Sequence, residues 1–136
     1  MAKKIKVLTF GVFDYFHYGH LNVFKQALCY GNYLIVAIQI DEEIHKRKPN
    51  SILRYTYKQR EEIVSNIKLV NEVIPYAEVE EDINKIQFDV LAVGEDQNHD
   101  GFAKAIKWCK ENKKKVVRLH RWKGISSTEL KNEKNT

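Results

Sequence analysis

Cysteine, proline and glycine are all scarce in this 136-residue chain, which carries two, two and six of them. That composition excludes a disulfide scaffold, a collagen-like repeat and a proline- or glycine-rich disordered segment. Cys29 and Cys109 stand far apart with no C-x-x-C or zinc-site spacing, and both fall within predicted helices. They read as buried, reduced thiols rather than redox or metal groups. No apolar run approaches the length of a membrane span, and Met1-Ala2-Lys3-Lys4-Ile5 leads into a strand without a signal-peptide core. A cytoplasmic protein with no membrane partner is the expectation. Acidic residues are in modest deficit, 18 against 23 basic ones, for a net charge of +5. Nucleic acid binding is the generic reading of such an excess. The run Lys113-Lys114-Lys115 sits at the end of a predicted helix, where lysines complement the dipole and lie in solvent. Small phosphorylated substrates suffice to explain basic residues elsewhere, so no nucleic acid partner is expected.

What is present is an alternation of strand and helix signals with no internal repeat. Ile5 to Phe10, Tyr33 to Ile40, Glu72 to Ile74, Asp89 to Val93 and Val116 to Leu119 read as five strands, the third stopped by Pro75. The apolar run Tyr33 to Ile40 is too continuous for a sheet with one wet face, and Asp89 to Val93 repeats that buried pattern. Helical spacing follows the first strand at Leu21, Phe24 and Leu28, and recurs over Tyr57 to Ile67 and Phe102 to Cys109. Val79, Ile83 and Ile86 suggest a shorter helix, and His45 to Ser51 a polar, basic loop marked by Pro49 and Asn50. The expectation is α/β: a single Rossmann-like, doubly wound domain over residues 1–136 with a mainly parallel five-stranded sheet.

The chemistry concentrates in Thr9-Phe10-Gly11-Val12-Phe13-Asp14-Tyr15-Phe16-His17-Tyr18-Gly19-His20. A strand ending in glycine, a short loop with an acid, and two histidines at a helix start place both imidazoles on one face. The carboxyl edge of a parallel sheet is where ligands bind, and a helix starting there directs free N–H groups and a positive dipole end at an anion. A phosphate chain is the natural guest. At the other end of the chain, Ser126 and Glu129 have capping-box spacing, so a helix is predicted from Ile125-Ser126-Ser127. Its first turn would offer N–H groups and the hydroxyls of Ser127 and Thr128.

His17-Tyr18-Gly19-His20 after Gly11-Val12-Phe13-Asp14, with Arg121-Trp122-Lys123-Gly124-Ile125-Ser126-Ser127-Thr128, resembles the paired signatures of the cytidylyltransferase family. The match in length and motif order is best with its bacterial glycerol-3-phosphate branch. Lys68 to Ile74 resembles the family's R-Y-V-D-E-V-I, and Gly94-Glu95-Asp96 its G-D-D. The resemblance implies transfer of a cytidylyl group from CTP to a small phosphomonoester, glycerol 3-phosphate first among acceptors. Two alternatives stand beside it: an adenylyltransferase of the same superfamily acting on a sugar or flavin phosphate, and a non-catalytic nucleotide-binding module. It further implies Mg²⁺ carried on the triphosphate with no dedicated protein metal site, and a homodimer joined through Lys68 to Ile74.

By the same resemblance His17, His20 and Arg121 are catalytic. The nucleotide lies against Thr9, Phe10, Gly11, Asp14 and Gly19, against Lys68, Gly94 and Asp96, and against Ser126, Ser127 and Thr128. The acceptor phosphate falls to Lys46, Arg47 and Lys48, at least one of which contacts it, and to Arg60 of Tyr57-x-x-Arg60. Such chemistry needs no strong base, because a phosphate monoester is largely ionised at neutral pH, its second pKa being about 6. Imidazole N–H donors and the fixed fork of Arg121 would meet the charge gathering on phosphoryl oxygens. Asp14 reads equally as a loop-fixing acceptor or a ligand contact. His45 and His99 read as surface or structural groups, and His120 matches no motif. Trp122, Lys123 and Gln97 depart from the family pattern near the presumed pocket.

Overall fold

Successive residues of the central strands enter opposite cores, which is why each strand reads as an unbroken apolar run. In β2 (Tyr33–Gln39) Leu34, Val36 and Ile38 face one core while Ile35 and Ala37 face the other. β4 (Val90–Gly94) divides Val90 and Ala92 from Leu91 and Val93 in the same way. The computed structural model describes residues 3–120. Within them β1 (Lys6–Gly11) pairs with β2 and β4, β3 (Glu72–Tyr76) with β2, and β5 (Lys115–Leu119) with β4. All of these pairings are parallel, in the order β3-β2-β1-β4-β5.

The helices divide between the faces. α1 (Tyr18–Ala27) buries Phe24 and Ala27, and α3 (Tyr57–Ser65) buries Val64, on one side. α4 (Val79–Asp82), the following 3-10 turn Ile83–Lys85, and α5 (Asp100–Glu111) cover the other through Val79, Ile83, Phe102, Ala105 and Cys109. The expected doubly wound α/β domain is therefore the observed one, with the sheet wholly parallel. Phe24 is fully buried, and truncating such a ring to alanine costs about 3–5 kcal/mol.

Three local expectations are corrected. The segment read as a basic loop begins as α2 (Asp41–Arg47), with Asp41, Glu42 and Glu43 in its first turn and His45, Lys46 and Arg47 in its last. Both charge sets complement the helix dipole, and Ile44 is buried beneath. Pro75 does not stop β3 but lies inside it. β3 is an edge strand, so only one of its sides needs ladder donors. Cys109 is buried and its thiol is pushed up to about 11 by that burial, whereas Cys29 is exposed just beyond α1.

Candidate active site

β1 ends at Gly11, where an added Cβ would lie 2.7 Å from the ring of Phe13, itself folded back into the core. Phe13 and Tyr15 take left-handed backbone angles, φ 56° and 51°, a strained arrangement for non-glycine residues. Between them Asp14 is buried, and its carboxylate accepts N–H groups from Arg54 at 2.7 Å and Tyr55 at 3.1 Å. The aspartate thus fastens the β1 loop to the segment entering α3, which is the loop-fixing one of its two readings. It also lines the cavity beyond.

His17 is the N-cap of α1. Its Nδ1 accepts the Gly19 N–H at 2.9 Å, and the Nδ1 of His20 accepts the His17 N–H at 3.1 Å. The pair of histidines is itself the helix's capping box. The expected direct role of the helix amides is accordingly corrected: Gly19 N–H serves His17, and His20 and Leu21 N–H groups return to the His17 carbonyl. Both histidines line the cavity beyond. Because each Nδ1 accepts an amide proton, these bonds assign the ring proton of both neutral histidines to Nε2.

The rings stack with centroids 4.1 Å apart, and His20 also packs on Phe13 and Phe16 at 5.4 and 5.2 Å. Burial among these rings, reinforced by His17, pushes the His20 pKa from 6.5 to about 4. At neutral pH His20 is an uncharged N–H donor with fixed orientation.

These groups open into a cavity of about 570 Å³ at the carboxyl edge of the sheet. Thr9, Phe10, Gly11 and Gly19 line it beside the histidines. Gly94 and Asp96 close it from β4, and Arg47 and Lys48 from α2. The structure brings these expected residues together and distinguishes among the three basic ones: Lys46 is exposed, 4.0 Å from Glu43, and outside the cavity wall.

Two expected ligand contacts lie elsewhere. Lys68 is exposed in the turn before β3, away from the cavity of its own chain. Arg60 is 0% exposed and is not part of the wall of that cavity. Its guanidinium donates to the carbonyls of Val12 and Gln39, each at 2.9 Å, and of Tyr55 at 3.3 Å, and pairs with the Asp41 carboxylate. Four hydrogen bonds from this buried group tie the exits of β1 and β2 together, which corrects the acceptor role expected of it. Arg121, Ser126, Ser127 and Thr128 lie outside the described residues, as do Trp122 and Lys123.

Other residues acquire structural roles around the site that their sequence context did not show. Gln97 donates from Nε2 to the Phe10 carbonyl at 2.7 Å and accepts the Gly94 N–H at 2.9 Å, bridging the ends of β1 and β4. Arg118 holds the same loop through the carbonyls of Gly94 and Gln97. The side-chain amide of Gln26 in α1 clasps the backbone of His120 through two bonds of 2.8 and 2.9 Å. His120 also pairs with Glu95 at 3.1 Å across the cavity rim.

A family model described as cytidylyltransferase-like matches residues 8–133. The chain belongs to this family. It is 38% identical over 133 residues to the glycerol-3-phosphate cytidylyltransferase of Bacillus spizizenii, covering 94% of this chain and 95% of the relative. It is 37% identical over 101 residues to the FAD synthase of Thermococcus sibiricus, covering 72% and 68% of the two chains. Among solved structures, a lipopolysaccharide core biosynthesis protein from Thermoplasma volcanium shares the fold, with a TM-score of 0.72. That likeness covers 90% of this cytidylyltransferase-like chain and 100% of the other at 23% identity. Among the described residues of the cytidylyltransferase-like domain, no helix is long and apolar enough to cross a membrane.

Proposed function

We propose that this protein transfers a cytidylyl group from CTP to glycerol 3-phosphate, giving CDP-glycerol and pyrophosphate. The observation that carries the reading is the His17–His20 pair: two stacked imidazoles, each with Nδ1 occupied by an amide proton, lining a cavity at the β1 exit. The relatives named as glycerol-3-phosphate cytidylyltransferases support the choice of nucleotide and acceptor.

In this reading an oxygen of the acceptor phosphate attacks the α-phosphorus, and the bond to the β-phosphate's bridging oxygen breaks. Nε2–H groups of His17 and His20 meet the phosphoryl oxygens on which charge gathers. Neutral donors suit this task, since they offer hydrogen bonds without taking the proton of an acceptor already ionised. Arg47 and Lys48, across the cavity, hold the acceptor's phosphate close to the α-phosphorus. Arg121, directly after His120, is assigned to the leaving phosphates. Mg²⁺ would neutralise charge on the triphosphate, held by phosphate oxygens and water, since the described residues present no group of three or more metal-binding side chains. The reading extends to a cytoplasmic homodimer joined along Lys68 to Ile74, which would give exposed Lys68 a partner across the interface.

Pyrophosphate release with Mg²⁺ tests the proposal, with CTP and ATP assayed separately against a panel of phosphomonoesters that includes glycerol 3-phosphate and flavin mononucleotide. Turnover with CTP and glycerol 3-phosphate is expected. Turnover with ATP and the flavin instead would favour the second reading, which the FAD synthase relatives support. No turnover with tight nucleotide binding would leave a regulatory module.

A further inference from the structure

His99 repeats the local design of His17 on the neighbouring strand. It is the N-cap of α5, and its Nδ1 accepts the Gly101 N–H at 3.0 Å, as His17 Nδ1 accepts that of Gly19. That bond assigns the proton of the neutral ring to Nε2. β1 and β4 are adjacent in the sheet, so the two H-x-G caps stand side by side at its carboxyl edge, and both imidazoles line the same cavity. They belong to different layers. α1 packs on the core containing Phe24 and Val36, whereas α5 packs on the core containing Phe102 and Val79.

A second group joins His99 to the acceptor side. Glu80, in α4, lies 4.0 Å through one carboxylate oxygen from the Arg47 guanidinium. Its other oxygen packs against the first turn of α5: a Cβ placed on Gly101 would sit 2.6 Å from it and 2.8 Å from Cε1 of His99. Only glycine leaves room there for the carboxylate and the imidazole together. Arg47, Glu80 and His99 thus form one contiguous group from three elements, with Arg47 and His99 reaching the cavity and Glu80 between them. A dianionic phosphate seated by Arg47 would find the Nε2–H of this imidazole beside it as a donor.

We infer that His99 contacts the acceptor phosphomonoester, through Nε2–H to its phosphate or to an adjacent hydroxyl, and that Glu80 is a positioning residue which sets Arg47 beside it. This rests on the cytidylyl-transfer reading only for the identity of the substrates. The contact is separate from the nucleotide donors His17 and His20.

The test uses His99→Asn, because asparagine is among the best helix N-caps and keeps the Gly101 bond while removing the Nε2–H that reaches the cavity. The thermal midpoint should stay at the wild-type value. The KM for the best acceptor of the panel should rise roughly ten- to a hundredfold, the effect of losing a hydrogen bond to a charged group, with the KM for the nucleotide changed less than twofold. Glu80→Gln should raise the acceptor KM in the same selective way. In the wild-type protein, the ¹⁵N signal of His99 Nε2 should shift on adding the acceptor and stay put on adding the nucleotide alone. A His99→Asn enzyme with wild-type acceptor KM, or with both KM values raised equally, would overturn the inference. A change of nucleotide from CTP to ATP would overturn the functional reading and leave the acceptor split to decide His99. If nothing turned over, the imidazole signal titrated with glycerol 3-phosphate would still decide it, a static signal counting against the contact.

Discussion

His17 and His20 hold each other in place: the amide of the first donates to the ring of the second at 3.1 Å, and their rings stack at 4.1 Å. A motif usually read as two catalytic side chains is at once the start of a helix. His20→Ala therefore removes a donor and half of the capping box together. Turnover should fall by about a hundred- to a thousandfold, the cost of losing one preorganised oxyanion donor. The dissociation constant for CTP should change less than tenfold. Stopped assays and calorimetric titration of the same preparation check both; full activity in the variant would sink the mechanism.

The depressed basicity of His20 has a thermodynamic counterpart. Between pH 6.5 and about 4 the unfolded chain binds a proton on this ring that the folded protein does not. The unfolded state is then favoured by acid, so this contribution to stability is complete above pH 6.5 and is lost progressively as the pH falls towards 4. Denaturant titrations should show the wild type roughly 2 kcal/mol less stable at pH 4.5 than at pH 7 from this group. In His20→Gln that share of the slope should disappear.

Arg60 tests structure rather than chemistry. Arg60→Met would take the buried partner from three backbone carbonyls and from one oxygen of Asp41, whose other oxygen keeps the Tyr57 N–H. A loss of about 1–3 kcal/mol is expected in denaturant titration, the cost of leaving buried carbonyls without a donor. Arg60→Lys should recover little of it, because an ammonium cannot replace a planar fork that reaches four acceptors. Wild-type stability in the methionine variant would contradict the assignment.

Gln97 gives a third kind of outcome. Gln97→Leu leaves the Phe10 carbonyl and the Gly94 amide without their present partner. The expected loss is about 1–3 kcal/mol. Both KM values should rise together, since the bridge shapes the end of β1 as well as that of β4. A selective effect on either substrate would show that Gln97 touches that substrate directly.

Gln26→Leu should separate placement from stability. Its amide clasps His120, the residue before Arg121. The turnover number should drop about tenfold through misplacement of Arg121, with stability within about 1 kcal/mol of wild type. Unchanged turnover would show that the chain after β5 finds its place without α1.

Strands were legible because both faces of this sheet are covered, so Leu34 to Ile38 shows no polar alternation to confuse the period. The stretch from His17 to His20 was legible from residue types and spacing. α2 was hidden by Pro49 and Asn50, although Asp41-Glu42-Glu43 followed by His45-Lys46-Arg47 is the charge order a short helix wants. The structural role of Arg60 was hidden because a cation on an amphipathic helix ordinarily belongs in water. Nothing local announces that carbonyls from Val12, Gln39 and Tyr55 converge on it. The capping role of His99 is visible in principle, since His99-Asp100-Gly101 repeats the spacing of His17-Tyr18-Gly19, but without a second histidine it reads as surface.

On the proposed reading the two helical layers divide the labour of the site. The stacked histidines ride on the layer of α1, while Glu80 and His99 belong with α4 and α5 of the other layer and Arg47 reaches Glu80 from α2. Mutations that remodel one layer need not disturb the other. A lineage built on this plan is free to exchange the molecule it activates while inheriting its phosphoryl-transfer apparatus intact, and hybrid enzymes combining the α1 layer of one relative with the α4–α5 layer of another become reasonable objects to build.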